Sequence, residues 1–66
     1  MAVLKAIELL ASSEKSWEDA TAQAVKKASK TLMNVRSANV ANQSVTVKNG
    51  KIREYRVNVN VVFELE

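Results

Sequence analysis

The sequence contains no cysteine, no histidine and no proline, and it has a single glycine. Without cysteine no disulfide can form, and without cysteine and histidine an ordinary zinc site has no ligands. The same absences remove the commonest general base and the strongest thiol nucleophile of enzymes. One glycine cannot build a glycine-rich phosphate-binding loop. The sequence therefore predicts a protein that is not an enzyme and that is held together by neither disulfides nor zinc.

The chain is also short. Its 66 residues predict a single domain, residues 1–66, and a content of 47% hydrophobic and 26% charged residues is typical of a folded protein. Below roughly 70–80 residues one core rarely supplies more than about 3–5 kcal/mol, so small folds rely on disulfides, metals or oligomerisation. Oligomerisation is the route that this composition favours. A second copy of the same chain is the first partner we expect.

Long apolar runs are missing as well. No run approaches the roughly 20 residues that span a membrane. A signal peptide has a charged segment ahead of a continuous apolar core. The N-terminal stretch "MAVLKAIELLASS" does not show this pattern. We therefore expect a cytoplasmic protein with no membrane partner.

The net charge of +3 raises the question of a polyanionic partner. The basic residues are spread along the chain with acidic residues among them. The best candidate surface for nucleic acid is Arg53 and Arg56 with Tyr55 between them. Strand alternation points Tyr55 away from Arg56, so the aromatic ring and that arginine do not share a surface. We expect no nucleic-acid partner.

The pattern along the chain predicts the element order β-α-β-β. Residues 2–11 are expected to form the first strand because they are short, apolar and β-branched in part. The helix is expected to follow Ser16, whose hydroxyl can accept from the backbone N–H of Asp19 while that carboxylate reaches back to the cap. Asn34 is expected to end it. Asn49–Gly50 predicts a type I′ hairpin turn, which needs positive φ at both positions. The predicted fold is α+β, with a three-stranded antiparallel sheet packed on one helix.

A turn at residues 49–50 also sets the hairpin register. It pairs Val40 with Val59 and Ala38 with Val61. The helix stripe expected to pack on the sheet has helical spacing: Trp17, Ala20, Ala24, Ala28 and Leu32. The sheet residues expected to face this stripe all lie on one face of the sheet: Ala38, Val40, Tyr55, Val57, Val59, Val61 and Phe63.

The same register leaves an apolar patch at the hairpin tip, formed by Val45, Val47 and Ile52 on the face away from the helix. A bulge near Gln43–Ser44 would move part of it back. An exposed apolar patch normally marks a contact with another chain, so these three residues are predicted to lie in an oligomer interface. The alternative is a twisted hairpin that covers the edge of its own core.

Carboxylates, which are the ligands of hard cations, show no EF-hand spacing. The seven are Glu8, Glu14, Glu18, Asp19, Glu54, Glu64 and Glu66. A symmetry axis of an oligomer could still gather one carboxylate from each of several copies. A metal ion therefore stays possible as a ligand, with its residues unknown.

Three stretches together resemble the dodecin family: "SEKSWEDA" at the start of the helix, "AVKKASKTL" in its body and "EYRVNVNVVFEL" in the last strand. The resemblance covers almost the whole chain. It implies a β-α-β-β subunit, twelve copies of which assemble into a hollow homododecamer. It also implies non-enzymatic binding of flavin, either riboflavin or FMN, for storage and protection, while some members bind coenzyme A or metal ions.

The resemblance also implies where a ligand lies. The family's flavin-stacking tryptophan corresponds to Ser37, and its flavin-contacting glutamine corresponds to Arg56. Serine removes the aromatic stacking surface, and arginine keeps donors but loses the acceptor and adds a charge. The polar face that we expect to carry both residues and Gln43 is the candidate ligand surface. All three are therefore predicted ligand-binding residues.

Two functions follow. The first is a dodecin-like storage protein that binds flavin weakly, or binds a different, anionic molecule near Arg56. The second is a dodecin that binds a metal ion such as calcium, or that serves as an oligomeric scaffold without flavin.

Overall fold

The structure is a computed structural model that describes residues 2–66. Its elements are β1 (Leu4–Ser13), α1 (Trp17–Thr31), β2 (Val35–Lys48) and β3 (Lys51–Glu64). The three strands form one antiparallel sheet in the order β1-β3-β2, so β3 is central. The predicted β-α-β-β order and sheet are confirmed. Within residues 2–66 no helix is long and apolar enough to cross a membrane.

β1 begins and ends two residues later than predicted. Ser12 and Ser13 lie beyond the predicted end of the strand at residue 11, but they continue the ladder by pairing with Arg56 and Tyr55, respectively. Ser13 is buried, and its hydroxyl donates to Asp19 Oδ2 over 2.6 Å. The satisfied hydroxyl explains why a serine can end this strand inside the protein, since a buried polar group needs a partner.

α1 begins as predicted, because Ser16 Oγ accepts from the backbone N–H of Asp19 over 3.0 Å. The predicted return contact, in which the Asp19 carboxylate reaches back to the cap at Ser16, is wrong. The Asp19 carboxylate accepts from Ser13 Oγ and from Gln23 Nε2, each over 2.6 Å. These two hydrogen bonds, the Ser13 one first, hold the pKa of Asp19 below its usual value. The helix ends at Thr31, and Asn34, with φ 62°, turns the chain into β2.

The core lies between α1 and the centre of β3. Ala20, Ala24 and Ala28 are at most 5% exposed and meet three buried valines, Val57, Val59 and Val61. Alanine has no side chain beyond Cβ, so α1 can approach the sheet closely. Ile7, Leu9 and Ala11 of β1 and Ala38 of β2 pack around this cluster. The predicted helix stripe and the predicted core-facing phase of β3 are confirmed.

The hairpin turn is where the sequence predicts it, with φ of 54° at Asn49 and 74° at Gly50. The predicted pairs Val40–Val59 and Ala38–Val61 are also confirmed. Between the turn and these pairs the register shifts twice, once on each strand. The extra residue is Ala41 on β2 and Arg53 on β3. The register shift that a bulge near Gln43–Ser44 would produce is thus present, and two bulges, at Ala41 and Arg53, bring it about.

Candidate functional site

The face of the sheet opposite α1, called here the helix-free face, carries Arg56, Asn58, Asn60 and Val62 of β3. These residues are assigned to this face because they alternate along β3 with the buried valines, which face the helix. Ser37 pairs with Val62, so Ser37 and Arg56 share the helix-free face as predicted. Six residues of β3 separate the two positions, which is about 20 Å at 3.3–3.4 Å per residue. Within one chain they do not form one site.

Gln43 does not lie on the helix-free face. The bulges place it opposite Val57, whose side chain is buried under the helix, so the predicted face of Gln43 is wrong. A shallow depression along the exposed edge of β2 includes Gln43 with Val40, Ala41 and Asn42. The structure therefore separates Gln43 from Arg56, since the two side chains leave the sheet on opposite sides.

The hairpin-tip patch is also on the opposite face from the one predicted. Val45 pairs with Tyr55, which contacts the helix residue Trp17, and Val47 follows two residues later in the same phase. Val45, Val47 and Ile52 are 36%, 64% and 55% exposed. The patch therefore lies on the helix side of the sheet, but it extends past the first turn of α1 and is left open. Its role as an oligomer interface stays a prediction.

Arg56 lies in the middle of a row of three side chains that crosses the whole sheet. Ser12 of β1 pairs with Arg56 from one side, and Ser44 of β2 pairs with it from the other. These three residues are called here the Ser-Arg-Ser row. They line an open groove of about 490 Å³, together with Leu10, Ala11, Val57 and Asn58. The groove thus brings two hydroxyls and one guanidinium together on the helix-free face.

The charge of Arg56 is not neutralised within the described chain. Among residues 2–66 the ion pair is Arg36–Glu64, with 3.2 Å between Nε and Oε1, and Arg56 takes part in none. An arginine with its five donors free in a groove is suited to a planar or tetrahedral oxyanion, because the guanidinium fork can bind two oxygens at once. Chemically, the groove is a candidate site for an anion.

A second polar group lies further along the same face. Asn60 pairs with Glu8 on one side and with Asn39 on the other, and Asn58 pairs with Asn42. Carboxylate and amide oxygens are the ligands that Ca²⁺ takes in proteins. In the part of the chain that the structure describes, there is no group of three or more acidic, histidine or cysteine side chains placed to hold a metal. One chain thus offers a single carboxylate with amide oxygens around it.

Sequence reasoning did not identify Ser12 and Ser44 as site residues. Ser12 lies beyond the predicted end of the first strand at residue 11, and an unbroken hairpin would put Gln43, not Ser44, opposite Arg56. Alternation along β1 indicates which of its faces packs on the helix, but not which strand it pairs with. The bulges at Ala41 and Arg53 carry no local signal either, because neither residue has the positive φ that marks some bulges.

Comparisons with known proteins agree with the resemblance found in the sequence. The model of the family described as Dodecin matches residues 3–66. A protein named calcium dodecin, from Mycobacterium tuberculosis, is 34% identical over 65 residues, which are 98% of this chain and 92% of that protein. Its solved structure, described as having a novel calcium-binding site, is similar with a TM-score of 0.84.

Other solved dodecins have the same fold. A variant of the dodecin from T. thermophilus is 33% identical, with a TM-score of 0.93 over 100% of this chain and 98% of that one. The dodecin from Streptomyces coelicolor has the same TM-score of 0.93 over 98% of this chain and 93% of that one. At 23% identity, this second likeness shows the fold alone. The predicted family and the predicted fold class are confirmed.

Proposed function

This chain belongs to the dodecin family, and on that premise we propose that it is a non-enzymatic binding protein that holds a small anionic molecule in an assembly of identical copies. The observation that carries the proposal is the position of Arg56. It lies between Ser12 and Ser44 in a groove of about 490 Å³, and it has no ion-pair partner within residues 2–66. Such a site stores or protects a ligand by binding it, without a chemical step.

Flavin stacking of the family's kind is not supported by the residues present. Ser37 stands where the resemblance places the stacking tryptophan, and a hydroxyl offers no aromatic face. The single tryptophan, Trp17, packs against Tyr55 on the helix side of the sheet. A flavin that binds here would therefore be held through a charged group near Arg56, and not through its ring.

The assembly is proposed from exposed apolar surface as well as from the family. On the helix-free face Leu4 of β1 is 53% exposed, and at the tip Val47 and Ile52 are 64% and 55% exposed. Patches of this kind normally mark contacts between chains. We propose that copies of the chain cover them in the hollow homododecamer that the resemblance implies.

Calcium binding is the second candidate function. The cross-strand neighbours Glu8, Asn60 and Asn39 supply the oxygen ligands that calcium prefers. The relative named calcium dodecin favours the same ion. One carboxylate and two amides do not complete a coordination shell of six to eight oxygens, so neighbouring copies or water would supply the rest.

Riboflavin and FMN test the anion proposal, because they share one ring system and only FMN carries a phosphate. We expect the assembled protein to bind FMN at least about tenfold more tightly than riboflavin, as a charged hydrogen-bonding group contributes that much or more. Arg56→Gln should remove this difference. Arg36→Gln is the matched control, since it removes an arginine outside the groove. Equal affinity for the two flavins, or no FMN binding at millimolar concentration, would contradict the proposal.

Isothermal titration with CaCl₂ tests the second candidate. Glu8→Gln should abolish calcium binding, and Glu18→Gln, on the exposed side of the first helical turn, should leave it unchanged. If calcium binds equally well to both variants, the Glu8–Asn60–Asn39 group is not its site.

A further inference from the structure

The two bulges nearest the hairpin turn, at Ala41 and Arg53, create the Ser-Arg-Ser row. Between Ala41 and Arg53 the segment 42–46 of β2 is shifted by one residue against β3. In a hairpin without bulges the turn at Asn49–Gly50 would put Gln43 opposite Arg56. With them, Ser44 takes that place and Gln43 turns to the other face. Bulges often lie next to functional sites, where they redirect a side chain. Here they place a hydroxyl beside the arginine.

Trp17 holds the shifted segment, residues 42–46, by contacts on the helix side of the sheet. Its indole Nε1 donates to the main-chain carbonyl of Ser44 over 3.0 Å. Its ring packs edge-on against Tyr55, with 5.1 Å between ring centroids and an interplanar angle of 78°. Tyr55 precedes Arg56 on β3. One helix side chain thus contacts both strands at the point where Ser44 and Arg56 face each other.

The three groups of the row are free to bind a ligand. Neighbouring strands lie about 4.8 Å apart, so the Ser12 and Ser44 side chains flank Arg56 at that spacing on both sides. Within residues 2–66 neither hydroxyl nor the guanidinium makes a hydrogen bond. Ser44 contributes only its carbonyl to Trp17, which leaves its hydroxyl available.

We infer that Ser12, Arg56 and Ser44 form a subsite for a phosphate monoester, and that Trp17 is the positioning residue that holds Ser44 in it. The inference rests on the proposed anion-binding function and specifies its ligand. A phosphate has three peripheral oxygens. The arginine fork can take two of them, and hydroxyls from both flanks reach what remains. A carboxylate has only two oxygens, and the fork occupies both, so the flanking hydroxyls reach only their remaining in-plane lone pairs and add less than they add to a phosphate.

The rest of the groove suits the organic part of such a ligand. Leu10 of β1 precedes the row by two residues on the same face and is 75% exposed. Asn58, its partner on β3, offers an amide beside it. An apolar wall with few polar groups is the usual lining of a small-molecule site. Inorganic phosphate alone would use the row but leave this wall uncovered.

Three probes test the subsite in the assembled protein by isothermal titration: phenyl phosphate, benzoate and inorganic phosphate. We expect phenyl phosphate to bind more tightly than either of the others. Ser44→Ala, which keeps the carbonyl bonded to Trp17, should weaken phenyl phosphate about tenfold and leave benzoate nearly unchanged. Ser12→Ala should do the same. Ser29→Ala, an exposed serine of α1, is the control and should change neither.

Trp17→Phe tests the positioning role, because phenylalanine keeps an aromatic ring against Tyr55 and removes the N–H. We expect the preference for phenyl phosphate over benzoate to fall by a factor similar to that of Ser44→Ala. In the Ser44→Ala background Trp17→Phe should cause no further loss of preference, since both act through one hydroxyl. A purely structural tryptophan would lower the thermal midpoint and leave the preference intact.

The outcomes separate this inference from the proposed function. If Arg56→Gln weakens all three probes but the serine variants change nothing, an anion groove exists and the phosphate subsite is wrong. If benzoate binds as tightly as phenyl phosphate, the subsite is also wrong. If inorganic phosphate binds as tightly as phenyl phosphate, the row takes the free ion and the monoester assignment fails. If no probe binds the wild-type protein, the proposed function itself fails.

Discussion

The Ser13 hydroxyl donates a hydrogen bond to Asp19 Oδ2 over 2.6 Å, and this bond ties the end of β1 to the first turn of α1. The same carboxylate accepts from Gln23 over 2.6 Å, one turn further along the helix. A negative charge in the first turn of a helix is also favoured by the helix dipole. We therefore expect Asp19 to make the β1–α1 connection sensitive to acid.

The free energy of unfolding should fall in acid because the Asp19 carboxylate becomes protonated. The Ser13 hydroxyl, and then the Gln23 amide, keep the pKa of Asp19 below its usual 3.8. Because the folded pKa is lower than the unfolded one, the stabilisation is fully present above about pH 4 and is lost as the pH falls through the folded value. The difference in unfolding free energy between wild type and Asp19→Asn should shrink over that range, as measured by urea unfolding.

Protein concentration must be the same in both titrations, because assembly also contributes to apparent stability. Glu18→Gln is the matched control, since it removes the neighbouring charge of the first turn. A difference between wild type and Asp19→Asn that stays constant from pH 7 to pH 3 would show that Asp19 is not the sensor.

The close approach of α1 to the sheet depends on alanine at its buried positions. Ala24 is 5% exposed and meets the buried valines of β3. Ala24→Leu should therefore lower the unfolding free energy by about 1–3 kcal/mol, the usual cost of overpacking a core. Ala22→Leu, two residues earlier on the exposed side, should change it by less than about 0.5 kcal/mol. Equal stability of the two variants, measured by thermal unfolding, would show that the helix does not rely on this spacing.

The hairpin tip is predicted to be buried between copies of the chain. Val47 is 64% exposed in the single chain, so Val47→Lys should leave the subunit folded. A charged ammonium buried in the interface would be costly, and the assembly should dissociate into smaller species in sedimentation velocity. Ser29→Lys places the same charge on α1 and should leave the sedimentation coefficient unchanged. Full assembly of Val47→Lys would exclude the tip from the interface.

Flavin binding should be gained by restoring the family's residues. Ser37→Trp adds a stacking ring, and Arg56→Gln returns an acceptor and removes the charge. We expect the double variant to quench riboflavin fluorescence at micromolar protein, where the wild type does not. Since the two positions are about 20 Å apart in one chain, the gain requires copies that bring them together. Ser29→Trp controls for quenching by any added indole. An assembled double variant that leaves the fluorescence unchanged would show that the loss of these two residues is not what alters the site.

Much of the fold follows from local signals in the sequence. The Ser16 cap, the alanine stripe of α1 and the Asn49–Gly50 turn each determine local structure through a few neighbouring residues. The alternation of Val57, Val59 and Val61 then selects the face of β3 that packs on the helix. These features needed no knowledge of the partner strands, which is why they were predictable.

The site was less predictable because it depends on how the strands are aligned. The shift by one residue between Ala41 and Arg53 exchanges Gln43 for Ser44 beside Arg56, and it moves Val45 to the helix side. A one-residue slip changes the face of every side chain in the segment. What favours the shift is tertiary: the Trp17 indole bonds the Ser44 carbonyl from a helix 27 residues earlier in the chain. No local pattern reports such a contact.

Native mass spectrometry in the presence of equal concentrations of riboflavin and FMN tests the proposed assembly and its anion site together. We predict a particle of about 88 kDa, twelve chains of 7.3 kDa, that carries FMN and not riboflavin, and an Arg56→Gln particle of the same copy number that carries no FMN. A 7.3 kDa monomer, or an assembly that carries the two flavins equally and keeps them in Arg56→Gln, would contradict this function.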